Sequence, residues 1–268
     1  MKLYQLTLRL LLISILLWAC AKVPISNRKQ MNLLPESELM SMSLTSYNDF
    51  LKENPPMPES DPNVQQVKKV GKNISEAVTK YMTDNKMGKR IEGYTWEFNL
   101  VNDETVNAWC MPGGKVVVYK GLLPVTQDET SLALVMGHEV AHAVARHGNE
   151  RMSQMMMAQI GGVALDVALS QKSNETRAIF GAAYGVGAQV GLMLPYSRLH
   201  ETEADKMGLI FMAMAGYDPR KAPEFWNRMA ALGGGKPPEI LSTHPSDDTR
   251  QKNLNDFMPE AMKYYKVK

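Results

Sequence analysis

The amino-acid sequence predicts an α+β fold that is mainly α-helical, with a small antiparallel sheet near its middle. Three observations lead there. Apolar residues recur at helical spacing, between recognisable start and stop signals, on both sides of residues 94–119. Within that window the pattern changes to alternation, with Pro112-Gly113-Gly114 as a turn. A chain of 268 residues is also long enough to bury a full core.

Residues 36–54 place Leu39, Met42, Leu44 and Tyr47 at roughly helical spacing, and acidic residues open the segment. Pro55-Pro56 ends it. Asp61-Pro62 then offers an N-cap followed by proline at the first helical position, and Val64, Val67, Val70, Ile74 and Val78 form one apolar stripe ending near Gly88. Strand-like runs follow at 94–100, 105–110 and 115–119. The next helix is expected to be capped by Thr126 and stopped by Gly148, with Leu132, Leu134, Val135, Val140 and Val144 as its apolar surface. Residues 152–194 are rich in Met, Ala and Gly and read as two packed apolar helices around a polar turn at 170–177. Met155, Met156 and Met157 are expected in core or lid packing, with a plastic binding surface as the alternative. Helix resumes at about 198–215, from Asp218-Pro219 to Leu232, and from Pro245 to Tyr264.

The 30 basic residues are scattered among 28 acidic ones, for a formal net charge of +2. Without a basic run, nucleic acid is not an expected partner. The 2 cysteines cannot build a disulfide framework. Residues 1–19 carry Lys2 and Arg9 at the start of a leucine-rich stretch too short for a comfortable span, which reads as a secretory signal. The following Leu17-Trp18-Ala19-Cys20 resembles a bacterial lipobox, with Cys20 as the lipidated residue and residues 20–35 as a tether. The resemblance to bacterial lipoproteins implies a membrane held through a lipid anchor, on the periplasmic face of the outer membrane. The remaining residues, 36–268, are expected to form the functional domain.

The chemistry concentrates in His138-Glu139-Val140-Ala141-His142. Histidines four apart on a helix share a face, so both imidazoles can reach one zinc ion. Glu139 is rotated about a third of a turn from His138 and suits a general base acting on water. Small flanking residues, Gly137, Ala141 and Ala143, leave room for a close second helix.

Together with Arg198-Leu199-His200-Glu201-Thr202-Glu203-Ala204-Asp205, this motif resembles the zinc metallopeptidase family that includes the CAAX prenyl endopeptidases, HtpX and BepA, family forty-eight of the metallopeptidases. The resemblance implies a gluzincin with one Zn2+ per chain, Glu201 as third ligand and Asp205 beside a ligating histidine. His200 is the rival ligand. It extends over Asn107-Ala108, Pro112-Gly113-Gly114, Gly121-Leu122-Leu123 and Thr243-His244-Pro245 with Arg250. In relatives the strand at Asn107 to Met111 borders the cleft and pairs with extended peptide, making Asn107 and Ala108 substrate-binding candidates; an ordinary edge strand is the alternative. His244 matches a late histidine that assists catalysis or occupies the open metal position, and Asn107 or His244 could stabilise the oxyanion. Arg250 could support the metal shell or form a surface ion pair.

The activity implied is zinc-dependent hydrolysis of internal peptide bonds in extended or unfolded polypeptides, such as misfolded or unassembled envelope proteins. A lipid-anchored chaperone or assembly factor with little proteolytic activity is the alternative. Strongly apolar spans like those of the membrane-embedded members do not flank the zinc motif, so prenylated substrates are poorly supported.

Overall fold

A computed structural model of the chain describes residues 20–188, 194–232, 240 and 249–266. In chain order the elements are β1 (Cys20–Lys22), β2 (Lys29–Met31), α1 (Glu36–Glu53), α2 (Pro62–Asp84), β3 (Glu97–Val101), β4 (Ala108–Met111) and β5 (Lys115–Tyr119). The helices α3 (Leu123–Thr126), α4 (Glu129–Ala145), α5 (His147–Ala168), α6 (Asn174–Ala188), α7 (Leu194–Met214), α8 (Ala222–Ala231) and α9 (Thr249–Met262) follow. The chain divides into two compact units, residues 37–145 with 200–268, and residues 1–36 with 146–199.

The larger unit is built around α4. Ser131 to Ala141 and Ala143 to Ala145 are all buried, so this helix is covered on every side by its neighbours. Asp128 caps it, its Oδ1 accepting the Ser131 N–H at 2.7 Å. The expected cap, Thr126, instead closes the short α3, its hydroxyl donating to the Leu123 carbonyl. At the other end the helix stops before Gly148, because Arg146 adopts a left-handed φ of 60° and α5 starts at once. The last carbonyls are satisfied from outside the helix. Arg90 donates to the Val144 and Ala145 oxygens at 3.1 and 3.0 Å, and the Tyr94 hydroxyl to that of Ala143 at 3.2 Å.

The second helix forms as expected, with Asp61 accepting from Asn63 N–H and Pro62 in the first turn. Its stripe of Val64, Val67, Val70, Ile74 and Val78 is buried, and α2 packs on α4 and on β3. In α1, Leu39 and Tyr47 are buried, but Met42 and Leu44 are exposed. The buried face runs instead through Leu39, Tyr47 and the half-buried Phe50 and Leu51, where Tyr47 packs on Val101 and Val117.

The mainly helical α+β class holds, but the sheet is mixed, not wholly antiparallel. β4 and β5 form the expected hairpin with Ala108 opposite Val118, whereas β3 lies on the far side of β5 and runs parallel to it. Direction alternates along the chain as in a meander, yet β5 takes the centre, and Lys115 to Val118 are all buried there. Alternation reports the faces of a strand and not its neighbours, so this order was not readable from periodicity. β4 is therefore an edge strand, packed along α4.

In the smaller unit, residues read as a tether carry a hairpin, with Cys20 opposite Met31 and Lys22 opposite Lys29. β2 packs on α5, and Arg28 makes a two-pronged ion pair with Glu150 at 2.7 Å, joined by Gln30 at 3.1 Å. Leu33 N–H donates to the Ser153 hydroxyl and Asn149 to the Leu34 carbonyl. Helices α5 and α6 pack as a pair through Tyr184, whose hydroxyl donates to Ala158 O at 2.9 Å and lies against Gly161. Met155, Met156 and Met157 are exposed, contrary to the expected core or lid packing, because the contact with α6 runs further along α5, at Ala158, Gly161 and Gly162.

Candidate metal centre

His138 and His142 project from one face of α4, and Glu201 and Asp205 from one face of α7, each pair separated by about one turn. What brings the two helices together is a pair of glycines. An added Cβ on Gly208 would lie 3.0 Å from His138 N and 3.2 Å from Gly137 C, and one on Gly137 would lie 3.1 Å from Gly208 O. Backbone therefore meets backbone one residue from the first histidine. Gly137 was legible as room for a second helix; Gly208 was missed, although it lies seven residues after Glu201 and so on the same helical face.

The ligating atoms of His138, His142 and Glu201 all lie within 4.8 Å of one another. The two Nε2 atoms are 3.1 Å apart, and the Glu201 carboxylate is 3.3 Å from each. Ligands about 2.0–2.1 Å from a tetrahedral zinc ion are separated by about 3.3–3.4 Å, so these spacings fit. The neighbouring bonds fit as well. His138 Nδ1 faces Asp205 Oδ1 at 3.0 Å and donates its proton there, which leaves an Nε2 lone pair facing another imidazole and a carboxylate. Such a group of donors calls for a cation among them. Burial works against protonation of His138, but Asp205 and Glu201 outweigh it and push its pKa up to about 9. The pocket thus favours positive charge.

Asp205 is itself held from behind. Arg250 donates to both of its oxygens, at 2.9 and 2.7 Å, and the guanidinium lies face-on over Trp226, 3.4 Å from the ring centroid. Trp226 also meets the His138 ring edge-on at 5.7 Å. Burial raises the Asp205 pKa, but the charge of Arg250 and the bonds from His138 and Arg250 hold it below the usual carboxylate range. Arg250 is thus buried behind the metal centre and not in a surface ion pair. Trp226 was not legible as part of this arrangement, because nothing in a helical apolar pattern distinguishes a core tryptophan from one that supports a cation.

Glu139 is buried beside His138. β4 packs along the helix that carries Glu139, and burial, then the Glu139 charge, pushes the Cys110 thiol up. His200 and Glu203 are buried but lie outside the group of ligating atoms. Asn107 and Ala108 are buried at the start of β4, where Asn107 Oδ1 accepts the Ala108 N–H at 2.9 Å and the Asn107 carbonyl accepts the Tyr119 N–H at 3.1 Å. His244 lies outside the described residues. Cys20 lies in β1.

Comparison with known proteins agrees with this centre. The profile of peptidase family M48 matches residues 69–257. The mitochondrial metalloendopeptidase OMA1 of Schizosaccharomyces pombe is 36% identical over 243 residues, covering 89% of this chain and 66% of the relative. The human mitochondrial metalloendopeptidase OMA1 is 30% identical over 248 residues, 90% of this chain and 46% of the relative. The beta-barrel assembly-enhancing protease of Yersinia pestis is 31% identical over 230 residues, 81% of this chain and 47% of the relative. The chain thus spans less than two thirds of the length of each of these relatives. The mitochondrial relatives, found in fungi, a plant and animals, overturn the expected bacterial outer-membrane address. That expectation rested on residues 2–21 alone. A chain whose histidine pair and downstream glutamate meet at one point, and which matches the family over most of its length, belongs to peptidase family M48, and its cofactor is zinc.

Proposed function

We propose that the chain is a metalloendopeptidase hydrolysing internal peptide bonds, with His138, His142 and Glu201 holding zinc and Glu139 acting as general base. The observation that carries this is the buried Glu139 next to the first of three converging ligand residues, on the helix that also packs along β4. When bound, zinc supplies Lewis acidity toward a peptide carbonyl and toward water. Glu139 takes a proton from the attacking water and passes it to the departing amine. Asp205 keeps the His138 proton on Nδ1, which presents Nε2 to the metal, and Arg250 keeps Asp205 ionised and oriented.

The substrate class proposed is extended segments of unfolded or unassembled polypeptides. β4 is an edge strand beginning at Ala108 and packed on the helix that carries Glu139, so a peptide added along it would continue the sheet beside that helix, with Asn107 and Ala108 at one end. The name of the Yersinia pestis relative is consistent with a substrate met during membrane-protein assembly. His244 is proposed to act at the same centre, as a fourth imidazole that restrains activity or as an oxyanion donor; turnover of His244→Ala rises in the first case and falls in the second. Acylation of Cys20 is proposed on its sequence context alone, and fatty-acid labelling lost in Cys20→Ser would support it.

The test of the reaction is Glu139→Gln. With zinc content unchanged, cleavage of unfolded casein is expected to fall by about 10²–10⁴-fold. Near-normal turnover by the zinc-loaded variant would overturn the assignment.

A further inference from the structure

The face of the sheet under α1 carries an aromatic cluster that the zinc chemistry does not use. Trp109 of β4 meets Phe50 edge-on at 5.1 Å and Tyr47 at 6.2 Å, and its Nε1–H donates to the Tyr119 hydroxyl at 3.3 Å. Phe50 lies 6.0 Å from the Tyr119 ring, and Met111 packs on the same cluster. These neighbours of Trp109 belong to α1 and β5, on its inner side. Among the described residues no strand lies on the outer side of β4, and Trp109, Met111 and Phe50 are only half-buried. Edge strands are ordinarily guarded by charge, proline or a bulge, yet β4 reads Ala-Trp-Cys-Met. An uncharged, apolar edge of this kind suits the addition of another strand.

The backbone fixes which side chains an added strand would meet. Tyr119 N–H donates to the Asn107 carbonyl at 3.1 Å, and Ala108 lies opposite Val118. Bonded pairs alternate along an antiparallel ladder, so Asn107, Trp109 and Met111 bond inward to β5, while the N–H and C=O groups of Ala108 and Cys110 point to the outer edge. Asn107 Oδ1 accepts the Ala108 N–H, which leaves the Ala108 carbonyl and both backbone groups of Cys110 for a peptide. In antiparallel addition, a peptide residue bonded opposite Cys110 turns its side chain to the face packed on α4. Its two neighbours lie opposite Trp109 and Met111, in the non-bonded pairs where side chains approach closest, and face the aromatic cluster.

We infer that Trp109, Phe50 and Met111 form a selective shelf that takes two bulky apolar side chains, two residues apart, from an extended substrate. The inference rests on the proposed pairing of substrate with β4. Aromatic and aliphatic side chains are the match, because the cluster offers rings and a thioether, and Tyr119 already holds the Trp109 N–H. The substrate class is an amphipathic strand with one apolar face, a segment that lies bare only while the sheet it belongs to is unfolded or unassembled.

The test measures binding to the zinc-loaded Glu139→Gln chain by anisotropy of short fluorescent peptides. Two peptides of equal composition carry Phe and Leu either two or three residues apart, and a third carries Ser at both positions. In an extended strand, residues two apart share a face and residues three apart do not, whatever the register. The two-apart peptide should bind at least about fivefold tighter than the three-apart one, as for one added cross-strand pair. Trp109→Thr should abolish that preference with little change in affinity for the Ser peptide, and Met111→Thr, at the rim of the cluster, should reduce it. Equal affinity for the two spacings would overturn the shelf. A preference kept in both variants, with circular dichroism and zinc content unchanged, would overturn it too, because the selecting face would then be that of α4. Failure of the underlying peptidase reading shows separately: the enzyme with Glu139 intact would leave all three peptides uncut, or Glu139→Gln would cut them as well.

Discussion

Replacing Gly208 by Ala tests whether the glycine contact between α4 and α7 sets the metal geometry. The new methyl would lie 3.0 Å from His138 N and 3.2 Å from both Gly137 C and His138 Cα. Carbon contacts are comfortable at about 3.5 Å or more, and these neighbours are backbone, which cannot rotate away. The helices must part by about 0.3–0.5 Å, more than the roughly 0.2 Å within which ligand distances hold a metal. Since His138 and His142 ride on one helix and Glu201 on the other, zinc affinity is expected to fall by about 10–100-fold, as when a supporting group of a metal site is lost. Stability of the zinc-free protein changes less. Overpacking costs about 1–3 kcal/mol, while alanine in place of helical glycine returns about 1 kcal/mol, leaving a loss of about 0–2 kcal/mol. Competition with a chromophoric chelator gives the affinity, and thermal unfolding of the zinc-free protein gives the stability. Gly148→Ala is the control, because nothing lies within 4 Å of its added Cβ. Zinc affinity equal to wild type in Gly208→Ala would refute the reasoning.

Glu201→Gln should lose zinc during dialysis against chelator while Glu203→Gln keeps it, and equal metal content would remove Glu201 from the ligand set. Arg250→Lys keeps the charge but loses the double bond to Asp205 and the stack on Trp226, so zinc affinity should weaken by about tenfold or more, and Arg250→Ala further; unchanged affinity in both would make Arg250 a packing residue only. Glu97 supplies a pH prediction. Burial raises its carboxyl pKa, but hydrogen bonds from Tyr47 and Lys115 and the Lys115 charge outweigh this and hold it below the usual value. A depressed folded-state pKa stabilises above the unfolded value of about 4.3, and the contribution disappears as pH falls through the folded value. Wild type should therefore lose more stability than Glu97→Gln between pH 6 and 3, and parallel melting profiles would contradict this.

Several local rules of the chain were legible in the sequence because the cause was itself local. Asp61-Pro62 starts a helix because side chain and ring act on the adjoining backbone, and two histidines four apart share a face whatever surrounds them. The third ligand was legible only through the family motif at Glu201 and Asp205. The cap signal at Thr126 lost to its near neighbour Asp128, and the stop signal at Gly148 failed where tertiary partners settled the matter: Arg90 and Tyr94, more than forty residues away in sequence, satisfy the carbonyls that end α4. Strand order failed for the same reason, since period-two alternation is identical in a meander and in a sheet with β5 at its centre. The exposure of Met155 to Met157 reversed an expectation drawn from composition, because apolar residues report what they would bury against and not whether this chain supplies it. Zinc chemistry could be named from spacing and motif, but the distances that let three donors share one ion come from two glycines in contact across helices. No one-dimensional pattern encodes that contact, since it depends on both backbones arriving at the same place.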